Sequence, residues 1–391
     1  MRASNLALVL GELADDGPLS RSQLVARTGL TKSSVSGLVS DLVTAGLVTE
    51  SAADSGTSAR DRGRPASVLD LDGQGAAGLG LEINVDYLAA VVTDLAGAAR
   101  YRHVVTRDNR GASRSEVDQV LTELAGIASA ALAAAREQRL VVAGIGVAVP
   151  GSVIDGRISA APNLAWRDVD LADELVAAIP ATPLGLRVDN EANLAALAEL
   201  WFGGQAPADF VHVSGEIGIG GGVVVGGRLF RGAHARAGEL GHVVLDPAGP
   251  PCSCGGRGCL ERLAGQEAII AHAGAQDRAA LLARCEAGET RAVGAVREAG
   301  ERLGVALASV TNLLDPEAVV LGGLFADLAT WLRPGVEAAL ARHLAAPPAV
   351  LTSRLGGDAA VRGAAGGVLR RVIADPAGYL ARCAEADGLC G

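Results

Sequence analysis

The chain has 391 residues, too many for one ordinary core, so two or three domains are expected. Hydrophobic residues make up 49% and charged residues 20%, which excludes wholesale disorder and a collagen-like repeat. Thirty-four basic against 44 acidic residues give a net charge of −10, and Lys32 is the sole lysine, which excludes a bulk polyanion binder and a GxxxxGKS/T phosphate loop.

Residues 6–10 are too short for a secretory signal core and no apolar run reaches membrane-spanning length, so a soluble, cytoplasmic protein is expected. The first 50 residues carry helical periodicity in three pieces. The first covers 5–15 and stops at Asp16-Gly17-Pro18. The second starts at Ser20, where Ser20 and Gln23 form the S-x-x-Q capping arrangement, and ends at Thr28-Gly29. The third starts near Thr31 and places Val35, Leu38, Val39 and Leu42 on one face. Lys32, Ser33, Ser34 and Ser36 fall on the other, a small, polar and cationic face suited to the DNA major groove.

Two short β-like runs, 47–51 and 67–71, flank a Ser/Gly/Arg-rich loop with Arg60, Arg62 and Arg64. Helix, helix-turn-helix and two-stranded wing is the order of a winged helix-turn-helix, whose loop arginines reach phosphates or a narrow minor groove. Residues 1–70 hold seven basic and eight acidic side chains, so DNA contact there rests on local placement.

From residue 76 strands alternate with helices, and two α/β lobes in series are expected, with a ligand cleft between them. Expected elements include strands at 78–81, 87–93, 141–149, 184–188, 210–213 and 318–321, and helices at 116–137 and 191–201. The predicted division is a winged helix over 1–75 and a ligand-binding, oligomerising unit over 76–391.

Of six cysteines, Cys252, Cys254 and Cys259 fall within eight residues, ten residues after His242 at their start. One imidazole and three thiols make a closed tetrahedral set for Zn²⁺, and a closed set implies a structural ion. Glu239 and Glu261 bracket this motif. Carboxylates held on a rigid knuckle suit a polyhydroxylated ligand, because each accepts from vicinal hydroxyls.

Glu239-Leu-Gly-His242 followed by Cys252-Ser-Cys254-Gly-Gly-Arg-Gly-Cys259-Leu-Glu261 closely resembles the signature of the ROK family, named for repressors, open reading frames and kinases. Pro150-Gly151, Ala161-Pro162-Asn163-Leu164, Asp189-Asn190-Glu191-Ala192-Asn193 and Gly322-Gly323 extend the resemblance over 76–370. The N-terminal module is similar to that of the repressor branch, including its xylose- and N-acetylglucosamine-responsive members. The resemblance implies an actin-like, ribonuclease H-like two-lobed fold, a structural zinc, and a sugar held by Asn163, Asn190, Glu191, Glu239, His242 and Glu261. His242 then serves twice, with one ring nitrogen on zinc and the other on a sugar hydroxyl.

Departures from the family's kinases imply lost catalysis. Their D-x-G-G-T stands here as Glu82-Ile83-Asn84-Val85-Asp86, their G-T-G-I-G as Glu216-Ile217-Gly218-Ile219-Gly220, and their general-base aspartate as Glu191. The expectation is a sugar-responsive transcriptional regulator, a repressor acting as a homodimer or homotetramer on a double-stranded DNA operator. An ATP-dependent sugar kinase with an appended DNA-binding domain, and a regulator controlled by a protein partner, are the alternatives.

Overall fold

The computed structural model describes residues 1–52, 67–111 and 113–387. Helix α1 (Arg2–Asp16), helix α2 (Arg21–Thr28) and helix α3 (Lys32–Thr44) precede strands β1 (Val48–Ala52) and β2 (Ser67–Leu71), which pair antiparallel. At the start of α2 the Gln23 amide donates to the Ser20 hydroxyl at 3.3 Å and the Ser20 amide donates back to the Gln23 side chain at 2.8 Å, the expected capping box. Gly29 ends α2 at φ 69°, a left-handed conformation that makes the tight turn into α3 accessible without a Cβ clash. Leu24, Val35, Leu38, Val39 and Leu42 are buried with Leu6, Val9, Leu10 and Leu13. Each such burial contributes about 1.5–3 kcal/mol, which fixes how the three helices pack.

The first lobe is built on strands β3 (Ala76–Ile83), β4 (Tyr87–Asp94) and β5 (Ala99–Thr106), helix α4 (Arg114–Glu137), and strand β6 (Val141–Val149). A small three-stranded sheet follows, β7 (Ser152–Ile154), β8 (Arg157–Ala161) and β9 (Trp166–Val169), then helix α5 (Leu171–Ala178), strand β10 (Leu186–Asn190) and helix α6 (Glu191–Phe202). The main sheet has the order β10-β6-β3-β4-β5, with β6 parallel to both β3 and β10. Helix α4 is long and apolar enough to cross a membrane, but Val117, Val120, Leu121, Leu124, Ala128 and Ala131 are buried in this lobe's core and its other face carries Asp118 and Glu123. It is a core-covering helix.

The second lobe opens with β11 (Phe210–Gly215), β12 (Ile219–Val225) and β13 (Arg228–Leu229). After a glycine- and cysteine-rich loop come α7 (Leu260–Ala264), α8 (Gln266–Ala273), α9 (Arg278–Glu286) and α10 (Thr290–Leu314). Strand β14 (Ala318–Gly323), helices α11 (Leu324–Asp327) and α12 (Ala329–His343), and strand β15 (Ala349–Thr352) complete a sheet of order β13-β12-β11-β14-β15.

The lobes are not simply in series. Helix α13 (Ala359–Ala374) returns to the first lobe's sheet, and α14 (Pro376–Asp387) packs back toward α1. Glycines admit α13: a Cβ on Gly80 would meet the Val361 carbonyl oxygen at 2.0 Å, and one on Gly146 the Ala364 oxygen at 2.1 Å. Beyond that contact Val368, Leu369, Val372 and Ile373 enter the same core as Leu6, Val9, Leu10 and Leu69. The N-terminal module therefore shares its hydrophobic core with the C-terminal helices. Sequence patterning missed this, because an Ala- and Gly-rich helix carries little periodic contrast.

Candidate functional site

Lys32, Ser33, Ser34 and Ser36 are exposed together on α3, whose start is capped by Thr31 accepting from the Ser34 amide at 3.2 Å. Their common face points away from the buried stripe. Arg60, Arg62 and Arg64 lie outside the described residues. Arg2 pairs with Asp41, Arg21 with Glu50, and Arg27 with Asp16, so three nearby arginines are already opposed by acids.

Strand ends deliver the cleft. Pro150-Gly151 follow β6, Asn163 sits in the 3₁₀ turn after β8, and Asn190-Glu191 join β10 to α6. Across from them, the 3₁₀ turn Leu240–His242 and the first turn of α7 supply Glu239, His242 and Glu261. All six residues expected to contact a sugar line one cavity of about 520 Å³, together with Glu216 and Arg236. A Cβ on Gly218 would lie 2.8 Å from Glu261 Oε2 and 3.3 Å from Asn163 Nδ2, so those two side chains converge over the glycine.

Asn190 also has a structural task. Its Oδ1 accepts from the Ala192 and Asn193 amides at 2.9 and 3.1 Å, capping α6, and its Nδ2 donates to the Gly151 carbonyl at 2.9 Å. One amide hydrogen is left for a ligand. The strand register differs from the sequence expectation of 184–188: β10 runs two residues later, which puts Asp189 and Asn190 on the cleft lip. Asp189 accepts from Arg231 Nη1 at 2.9 Å, joining the end of β10 to the loop after β13. Sequence reading missed this pair, since 42 residues separate its members.

His242, Cys252, Cys254 and Cys259 place one donor atom each within 4.8 Å of one another, a cluster able to hold a metal. His242 Nδ1 faces Cys252 Sγ at 3.7 Å, and Cys254 and Cys259 sulfurs lie 3.7 Å apart. The other nitrogen, Nε2, faces Glu239 at 3.8 Å. The ring thus presents one edge to the thiols and the other toward the cleft. Burial pushes the Cys252 thiol up to about 12, with the hydrogen bond to Glu261 adding to it, while the Gly256 amide holds Cys254 down. A divalent cation reverses the first effect by favouring thiolates, and three thiols with one imidazole are the donor set zinc takes.

Behind the sugar-sized cavity lies a void of about 20 Å³, lined by Glu82, Asn84, Tyr87, His212 and Ser214 and sharing Glu191 and Glu216 with the larger one. Glu82 Oε1 accepts from Tyr87 Oη at 2.7 Å, while Oε2 is buried without a partner. Burial pushes Glu82 up to about 7 and Glu216 up to about 8, the latter moderated by Arg278, and holds Glu191 well above the carboxylate range. His212 is pushed down to about 4, also by burial. It was missed in the sequence because it sits inside the apolar strand β11 with no motif around it.

Comparison with known proteins agrees with this geometry. Residues 78–370 match the ROK family and residues 7–56 the MarR family. The chain is 31% identical over 340 residues to a putative xylose repressor of Caldicellulosiruptor sp., covering 81% of this chain and 82% of that one. It is 36% identical over 203 residues to a glucokinase of Halalkalibacterium halodurans, covering 46% and 61%. A solved ROK family transcriptional regulator, a homologue of the E. coli MLC protein, superposes with a TM-score of 0.77 at 27% identity over 98% of this chain and 99% of that one. With three quarters of its length in the family pattern, a winged helix in front and the sugar-sized cleft between two α/β lobes, the chain belongs to the ROK family.

Proposed function

We propose that the protein is a sugar-responsive transcriptional repressor that acts in the cytoplasm, with residues 1–75 binding a double-stranded DNA operator and residues 76–391 binding sugar and forming a homodimer or homotetramer. The observation that carries this reading is the cavity of about 520 Å³ lined by Asn163, Asn190, Glu191, Glu239, His242 and Glu261, in a chain that also presents the exposed Lys32 face of α3. Carboxylates and amides there accept from and donate to ring hydroxyls. In this reading Lys32, Ser33, Ser34 and Ser36 meet the major groove, and Arg60, Arg62 and Arg64 are further DNA contacts, to phosphates or a narrow minor groove. Zinc, when bound by His242, Cys252, Cys254 and Cys259, supplies a rigid structural node. These side chains then fix the imidazole edge that meets the sugar.

The inner carboxyls Glu82, Glu191 and Glu216 argue against phosphoryl transfer, since they are neutral when protonated and repel when ionised, and in neither state supply the positive charge that nucleotide phosphates need. Sugar binding favours one arrangement of the lobes, and if the operator prefers the other, sugar weakens DNA binding and DNA weakens sugar binding equally. A band-shift titration on the protein's own upstream region, with xylose, glucose and N-acetylglucosamine in turn, tests the proposal. Operator affinity that no sugar changes defeats it. ADP production above background with the same sugars would establish the kinase reading instead.

A further inference from the structure

We propose that Arg370 is a positioning residue that couples the sugar cleft to the DNA-binding module, because its guanidinium touches Trp201 at the far end of α6 and Asp15 in the last turn of α1. The inference rests on the sugar reading of the cleft and adds the route by which occupancy reaches the DNA face.

Helix α6 begins in the cleft at Glu191 and ends beside α13 at Trp201 and Phe202. It is held on both sides at backbone distance. A Cβ on Gly222 of β12 would meet the Ala196 Cβ at 2.5 Å, and one on Gly363 of α13 would meet the Leu194 carbonyl oxygen at 1.9 Å. Contacts that close pass a displacement on rather than absorbing it. At its far end, Arg362 sits 5.3 Å from the Phe202 ring centroid and Arg370 sits 5.6 Å from the Trp201 centroid, both from α13. Cation–ring contacts of this kind are directional, because the ring's negative face attracts the charge.

Arg370 then ion-pairs with Asp15, next to the α1 residues Leu6, Val9, Leu10 and Leu13 that share a core with Val368, Leu369, Val372 and Ile373 of α13. The shared core holds the module against α13, and its close packing carries a movement of α13 to α1. The Trp201–Arg370–Asp15 chain adds a directional contact. Asp15 is largely exposed, its side chain 63% accessible, so the pair adds little to stability and its loss leaves the fold intact.

The test uses the full-length protein and fluorescence anisotropy on the operator, without sugar and with saturating xylose, glucose or N-acetylglucosamine, while calorimetry follows sugar binding. For two coupled sites the ratio of operator affinities is on the order of 5–150-fold. Asp15→Asn and Arg370→Gln are expected to keep wild-type sugar affinity while that ratio falls by about 2–5-fold, the most an exposed pair of this kind can carry, and Arg370→Lys to restore part of it. A gain in overall DNA affinity from removing the Asp15 charge affects both arms alike and leaves the ratio untouched. Variants that respond to sugar as wild type does overturn the proposal, as does loss of sugar binding itself, which would make Arg370 a purely structural residue. A wild-type ratio of 1 with all three sugars removes the regulatory reading and the coupling with it.

Discussion

At the DNA face, charge is scarce and mostly committed. Arg2, Arg21 and Arg27 each oppose an acid, and Lys32 is the exposed cation at the first position of α3. Each lysine that neutralises a phosphate contributes about one unit to the salt dependence of binding. Lys32→Ala is therefore expected to weaken binding to all DNA sequences and to lower the slope of log affinity against log salt by about 1. A relaxed preference at one operator position with an unchanged slope would instead make Lys32 a base contact. In the cleft, Glu261 converges with Asn163 over Gly218 and is only 11% exposed in its side chain, so a hydroxyl bonded there is well desolvated. Hydrogen bonds to a charged group contribute about 1.5–3 kcal/mol, so Glu261→Gln should raise the sugar Kd by roughly 10–100-fold. Sugar-free operator affinity should not change, and calorimetry beside anisotropy checks both halves.

At the level of elements, α13 is the helix through which the first lobe, α6 and the N-terminal module meet, and its glycines differ sharply in role. A Cβ at position 363 would lie 1.9 Å from a carbonyl oxygen, whereas one at 367 meets nothing within 4 Å. Gly363→Ala is expected to cost about 1–3 kcal/mol through overpacking, while Gly367→Ala should gain up to about 1 kcal/mol from helix propensity alone. Thermal midpoints moving in opposite directions would bear this out; two equal shifts would not. The metal knuckle was legible in the sequence because its four donors lie within 18 residues, so spacing alone implied a cluster. The helices α1 to α3 were legible because capping residues and an apolar stripe agree. Helix α13 was not, since close backbone packing selects Gly and Ala and leaves no hydrophobic contrast to read. The convergence of Glu82, Glu191 and Glu216 was hidden for another reason: each stood out singly, but only the packing of two lobes brings β3, α6 and the end of β11 to one void.

For the molecule as a whole, that void sets a dependence on pH. Glu82 ionises near 7 and Glu216 near 8 in the folded protein, both raised from 4.5 chiefly by burial. Between those limits the folded state holds protons that the unfolded chain has released, so stability falls as pH rises from about 4.5 through 7 and 8. His212 acts on the opposite flank. Burial lowers it from 6.5 to about 4, so the unfolded chain binds its proton first and stability falls as pH drops through that range. The two effects oppose each other between about 4.5 and 6.5, and above that range the carboxyls act alone. Glu82→Gln retains the acceptor that meets Tyr87 and cannot ionise. It is expected to stabilise the protein at pH 8 by roughly 1–3 kcal/mol and at pH 5 by less than about 1 kcal/mol. The thermal midpoint followed from pH 5 to 9 should therefore decline less steeply in the variant than in wild type. Parallel profiles would show that Glu82 is not a group whose ionisation lowers stability over this range.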